Sequence, residues 1–205
     1  MAGSRFDPAL PDGAAGVLCA HIAAVRGAAD APLLVALDGR SGAGKSTLAR
    51  VVGARVGALV VDGDDFYRGG PDAYWDALDP AQKVDLVIDW ERQRSLLVQL
   101  GRGEAVTWRP YDWDADDGRF GAPITAGPAA VVLLDGAYSA RPELAPLFGL
   151  RVLLDVARDT RRERLLRREG ERDRAEWEAR WGEAEDLYFD VMMPPEAFDL
   201  VLDGN

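Results

Sequence analysis

Short blocks of consecutive apolar residues alternate along this chain with longer stretches of helical periodicity. Pro32 opens the first block, Leu33-Leu34-Val35-Ala36-Leu37, which ends at Asp38-Gly39. Its brevity predicts a strand buried on both faces. Ala58 to Val61, Ala129 to Leu134, Leu150 to Leu154 and Phe198 to Leu202 repeat that pattern. Helical spacing fills the intervals, at 13–28, from Lys45 to Gly53 or Gly57, and at 84–100, 159–169 and 173–189. In the third of these, Leu86, Trp90, Leu96, Leu97 and Leu100 are the expected packing residues. Phe66 to Gln82 reads as loop with at most a helical turn, Glu104 to Trp108 as a further strand, and 109–121 as irregular. Strands separated by helices predict an α/β fold, a five-stranded parallel sheet with helices on both faces.

In such sheets ligands bind beyond the carboxyl ends of the strands. Asp38, Asp62, Asp135 and Asp155 stand at four of those ends. Four acids at one sheet edge suit a place that manages cations and hydroxyl protons. The ordinary preference of Asp for turns accounts for Asp38 and Asp155.

Composition narrows the classes. The 205 residues predict one domain, 1–205, with a substantial core. A formal net charge of −11 argues against a nucleic-acid partner, because phosphate backbones need a clustered basic surface. No apolar run approaches the ~20 residues of a membrane span, and the first residues lack the order of a secretory signal. Cys19 is the single cysteine, so an internal disulfide is excluded and a cytoplasmic setting is expected. Its apolar surroundings predict a buried small hydrophobe. His21 is the single histidine, which excludes histidine metal clusters and Ser-His-Asp catalysis within one chain. Most of the six tryptophans are expected in the core or a substrate pocket, and exposed ones would be candidates for a homodimer face.

One motif is specific. Gly39-Arg40-Ser41-Gly42-Ala43-Gly44-Lys45-Ser46 follows the first strand and opens a helix. In the pattern Gly-x4-Gly-Lys-Ser, glycines let the backbone amides wrap phosphate oxygens, and the helix start adds its positive end. Gly39, Ser41, Gly42, Ala43, Gly44, Lys45, Ser46 and Thr47 are therefore candidates for nucleotide binding, with Lys45 reaching the β- and γ-phosphates and Ser46 a Mg²⁺ ligand. A guanine-specific Asn-Lys-x-Asp signature is excluded, since Asn205 is the only asparagine. What remains is chiefly phosphoryl transfer to small molecules and nucleotides.

Such transfer needs an acid to orient and deprotonate the acceptor hydroxyl. Asp62-Gly63-Asp64-Asp65-Phe66-Tyr67 supplies one at the end of the second strand. Val-Val-Leu-Leu-Asp135-Gly136 ends in an acid able to support Mg²⁺ directly or through water. Arg161, Arg164 and Arg168 fall on one helix face, and a cation over the transferring phosphate is worth roughly 10³-fold or more. Arg158, Arg162, Arg167, Arg172 and Arg174 are expected to be solvated or paired with Glu163, Glu169 and Glu171.

Taken in order, the glycine loop, Asp64-Asp65-Phe66-Tyr67, Asp89-Trp90-Glu91, Pro110-Tyr111-Asp112, Val131 to Gly136 and Asp159 to Arg168 resemble the uridine kinase-like branch of the P-loop kinases. That branch also holds phosphoribulokinase, pantothenate kinase and nicotinamide riboside kinase relatives. The resemblance covers roughly residues 30–190. It implies a P-loop NTPase three-layer sandwich with a helical, arginine-bearing lid at about 158–180, and ATP with Mg²⁺ as cofactors. It implies Asp64 as catalytic base, Ser46 and Asp135 on the metal, Arg161 and Arg164 over the phosphates, and Tyr67, Tyr111 and Asp112 towards the acceptor. Asp135 stands where the family usually has Glu. After Tyr111-Asp112 the family continues towards a His and an Arg, whereas this chain runs Trp113-Asp114-Ala115-Asp116-Asp117-Gly118-Arg119. The expected activity is ATP-dependent phosphorylation of a small-molecule hydroxyl, a nucleoside first, or else a vitamin, sugar or specialised metabolite. A nucleotide-sensing module without an acceptor is the reading from another class.

Overall fold

The structure is a computed structural model that describes residues 12–27 and 30–205. Helix α1 (Asp12–Arg26) leads into β1 (Leu33–Asp38), and α2 (Lys45–Val56) follows the glycine loop. After β2 (Leu59–Asp62) come a single 3-10 turn, α3 (Asp72–Asp76), α4 (Pro80–Leu86) and α5 (Trp90–Gly101). Strands β3 (Val106–Trp108) and β4 (Ile124–Ala126) precede β5 (Val131–Asp135) and β6 (Leu150–Asp155). Helices α6 (Arg158–Glu169) and α7 (Glu171–Leu187), a π-helical turn (Tyr188–Met192) and β7 (Leu200–Asp203) complete the chain.

The main sheet has five parallel strands in the order β2-β5-β1-β6-β7, as the apolar blocks predict. All six residues of β1 are buried, because successive side chains enter opposite layers. Leu33, Val35 and Leu37 pack with Leu18 and Ile22 of α1 and Leu48, Ala49 and Val52 of α2. Leu34 and Ala36 pack on the other face with Leu96, Leu97 and Leu100 of α5. The result is a helix–sheet–helix sandwich. Cys19 is half-buried against the first of these layers rather than fully enclosed.

Three local expectations are corrected. The segment 66–82 holds α3 and the start of α4, which Pro80 and a reciprocal Asp79–Gln82 capping box fix. The single helix expected over 84–100 is broken at Val87 to Asp89, where the Asp89 side chain caps α5 by accepting from Arg92 N at 3.1 Å. Trp90 sits half-buried at that start rather than in the core. The lone strand at 104–108 is half of an antiparallel pair, β3 with β4. Among the described residues no helix is long and apolar enough to cross a membrane.

Candidate active site

The carboxyl ends of β1, β2 and β5 converge, with Asp62 directly opposite Asp135 in the register. The glycine loop springs from β1 with positive φ at Gly39 (151°), Gly42 (78°) and Gly44 (96°). A Cβ on Gly39 would lie 2.6 Å from the Leu154 carbonyl, and one on Gly42 would lie 2.8 Å from the Arg161 carbonyl and from Leu165. Only glycine allows both the backbone turn and these close approaches. Helix α2 then begins at Lys45, and its first amides have no intrahelical acceptor. Lys45 Nζ donates to the carbonyls of Gly39 (2.7 Å) and Arg40 (3.2 Å), and its charge reaches Asp38, Asp64 and Asp135.

The Ser46 hydroxyl donates to Asp135. Asp135 is buried, and its Oδ1 has no hydrogen-bond partner among the described residues. Its carboxyl is pushed up to about 6, first by burial, with the charges of Asp64 and Asp38 adding to it against Lys45 and Ser46. A hydroxyl and a carboxylate with one orphaned oxygen are hard oxygen donors of the kind Mg²⁺ takes, usually with several waters retained. These residues fit that ion, although the described residues contain no cluster of three or more His, Cys, Asp or Glu able to enclose a metal alone.

Asp64 sits on the 3-10 turn after β2, where the Asp62 carboxylate accepts from its N–H at 3.0 Å. Asp64 is exposed where it borders a cleft. Desolvation raises the carboxyl, while Lys45 and Arg168 pull it back towards ionisation. Asp65 turns away, its Oδ2 accepting from Trp108 Nε1 at 2.7 Å. That bond fixes the turn to the β3–β4 pair.

Beside Asp64 lies a cavity of about 180 Å³, walled by Tyr67, Trp113, Tyr138, Trp177, Trp181 and Glu185 among others. Tyr67 stacks on Trp113 at 4.9 Å and meets Tyr111 edge-on at 4.9 Å. Tyr111 is buried behind Tyr67, its hydroxyl donating to Asp116 at 2.7 Å. Asp112 accepts from Ala115 N at 3.2 Å and caps that turn instead of lining the cavity. Of the three expected acceptor-side residues, Tyr67 reaches the cavity wall directly.

Asp38 departs from its reading as a plain turn residue. It is fully buried and accepts from Gly39 N (2.8 Å), Tyr138 N (3.0 Å), Ala140 N (2.9 Å) and the Tyr188 hydroxyl (2.8 Å). One carboxylate thus ties the glycine loop, the loop after β5 and the π-helical turn together. Tyr138 is held at φ 65°, an uncommon conformation for a side chain of its size. Asp155, by contrast, is exposed, as a turn residue should be.

Burial pushes the Asp38 carboxyl up to about 6, against the hydrogen bonds of Ala140 and Gly39 and the charge of Lys45. The folded state therefore holds this proton more tightly than the unfolded chain. The associated stability is full below about pH 4 and lost as pH rises through about 6. Denaturant midpoints without nucleotide are expected to fall between about pH 4.5 and about pH 7; a rise over that window would contradict the assignment.

Helix α6 lies on the glycine loop. Arg161 donates to the carbonyls of Val156 (3.1 Å) and Ser41 (3.2 Å), and Arg164 to those of Ala43 (2.9 Å) and Gly204 (3.2 Å). Arg168, one turn further on, acts on Asp64 through its charge. Glu185 of α7 accepts from Ser41 N at 2.6 Å and lies 3.6 Å from Arg161. Arg40 reaches Asp190 at 2.6 Å and also pairs with Asp186. The loop is therefore held from both helices of the arginine-bearing pair. Arg167 pairs with Glu163 at 3.5 Å, whereas the side chains of Glu169, Glu171, Arg172 and Arg174 lie outside the described residues.

No family model and no curated protein matches this chain. Its similarity to solved structures is extensive all the same. A possible uridine kinase from Bacillus stearothermophilus aligns with TM-score 0.73 and 21% identity, over 94% of this chain and 98% of that one. The fold is that of the P-loop kinases. A Silicibacter protein provisionally named a fructose transport system kinase aligns at TM-score 0.70 and 24% identity, covering 92% of this chain and 98% of its own. D-glycerate 3-kinase from Cryptococcus neoformans aligns at TM-score 0.60 and 12% identity, covering 94% of each chain. Three different substrates stand in those names, so the likeness is one of fold, and fold alone does not assign a substrate.

Proposed function

We propose that this chain is an ATP- and Mg²⁺-dependent phosphotransferase acting on a hydroxyl of a small molecule, with a nucleoside as the first candidate acceptor. The observation that carries this reading is the placement of Asp64 between Lys45 and an aromatic-walled cavity. A sensor that only bound nucleotide would need neither the acid nor the cavity.

In this mechanism the glycine-loop amides and Lys45 hold the β- and γ-phosphates, with Gly39, Ser41, Gly42, Ala43, Gly44, Ser46 and Thr47 shaping the cradle. Ser46 and Asp135 would hold Mg²⁺, which offsets charge on the phosphate oxygens when bound. Asp64 orients the acceptor hydroxyl and takes its proton as the oxygen bonds to the γ-phosphorus and the bond to the β-bridging oxygen breaks. The products are ADP and a phosphomonoester. Arg161 and Arg164 keep the loop in shape through its carbonyls, and closure of α6–α7 as a lid would bring Arg168 to the transferring group while excluding water.

This division of labour predicts that Arg168→Ala lowers turnover by roughly 10³-fold with nucleotide affinity little changed. Arg164→Ala should instead cost about 1–2 kcal/mol of stability through its lost carbonyl contacts. Parallel kcat, nucleotide Kd and melting measurements separate the two, and full turnover in Arg168→Ala would remove that residue from the mechanism.

ADP release from Mg²⁺-ATP across nucleosides, vitamins and sugars, with Lys45→Ala as the blank, tests the function itself. Stimulation by uridine or cytidine supports the nucleoside acceptor; stimulation by another compound keeps the reaction and moves the substrate. Tight ATP binding without any stimulation favours the sensor.

A further inference from the structure

The acceptor end of the cavity is made of π faces and carboxylates. Tyr67 and Trp113 lie nearly parallel, 14° apart, and Trp181, 5.2 Å from Trp75, stands one helical turn beyond Trp177 on α7. Asp64 and Glu185 also face the space, and among the described residues no lysine, arginine or histidine side chain lines it. Burial raises the Tyr67 phenol first, and the charges of Asp116 and Asp72 add to it against Arg180, which is paired to Asp72 at 3.0 Å.

Cations do stand behind the two carboxylates. Lys45 and Arg168 act on Asp64, and Arg161 and Arg40 lie 3.6 and 3.9 Å from Glu185. Lys45 and Arg161 are bonded to glycine-loop carbonyls, which places them on the phosphate side. Bound phosphates would draw on these charges and leave the acceptor end negative. An anionic acceptor would lose its hydration there without gaining a partner. An organic cation would gain from both the ring faces and the carboxylates.

Resting on the phosphotransferase reading, we propose that the acceptor carries a positive charge: an alcohol with a quaternary or protonated nitrogen, its cationic head against Tyr67, Trp113, Trp177 and Trp181 and its hydroxyl at Asp64. The volume of about 180 Å³ suits one such head, since a cavity of about 150 Å³ takes a benzene-sized molecule. Within the small-molecule alcohols of that reading, this ranks a cation-bearing compound above its neutral isostere.

Choline and its neutral isostere 3,3-dimethyl-1-butanol are matched probes. Their binding is read by tryptophan fluorescence with Mg²⁺ and a non-hydrolysable ATP analogue, alongside ADP release from Mg²⁺-ATP. Choline is expected to bind at least about tenfold more tightly than the isostere, and Trp113→Ala to remove most of that preference. Trp113 is 54% exposed, so its loss leaves the fold intact. Equal or weaker binding of choline overturns the proposal. Preferred choline binding with no acceptor-dependent ADP release upholds the cation site and removes the phosphotransferase reading. ADP release with neutral nucleosides, unaffected by choline, does the reverse.

Discussion

Asp64→Asn is expected to lower phosphotransfer by about 10²–10⁴-fold while Mg²⁺-ATP binds with wild-type affinity or slightly better. The substitution keeps shape and hydrogen-bonding length but removes the group that takes the acceptor proton. Desolvation raises the carboxyl above its ordinary range, which makes it a better proton acceptor, while the charges of Lys45 and Arg168 act the other way. Removing its charge also removes an anion from the neighbourhood of Lys45, so nucleotide phosphates meet less repulsion rather than more. Turnover by ADP release and affinity by calorimetry give the two numbers. Unimpaired turnover would exclude Asp64 from the chemistry.

Asp38→Ala is expected to be the most destabilising single change at the site, by about 3–5 kcal/mol. It strands three buried backbone N–H groups and the Tyr188 hydroxyl, all of which now end on one carboxylate. For a chain of this size that corresponds to a melting temperature lower by roughly 6–20 °C. Tyr188→Phe removes one of the four bonds and should cost about 1 kcal/mol. The ratio between the two variants is the useful readout, because a comparable loss in both would mean that the backbone donors find other partners. Thermal unfolding at fixed pH measures it.

The apolar blocks made the main sheet legible, since β1 and β5 are buried on both faces and leave no polar alternation to misread. The same logic fails for β4, where Ile124 and Thr125 are exposed and three residues carry no period. Helix α4 was signalled by Asp79-Pro80-Ala81-Gln82, a cap in sequence form, but the aspartates and glycines around it read as loop. The glycine loop, Ser46 and Asp135 came together as the spacing implied, because strand ends in a parallel sheet share one edge. Asp38 was misread for a physical reason. Two of its donors sit 100 and 102 residues away and a third 150, and turn preference is a local rule. Trp177 and Trp181 were foreseen only within a set of tryptophans expected in the core or a substrate pocket, because periodicity tells which helix face is apolar, not which apolar face borders a space; their i, i+4 spacing on α7 was the available signal. Tyr138 was missed because it stands in the loop after β5, where no period operates.

The most direct test of the account is to follow the γ-phosphoryl group itself, by ³¹P NMR of Mg²⁺-ATP turned over with an acceptor that stimulates ADP release. A phosphomonoester resonance rising with ADP, and absent with Lys45→Ala, is the predicted result. ADP accompanied by orthophosphate alone would contradict it, because the phosphoryl group would then have gone to water and the cavity beside Asp64 would hold no acceptor.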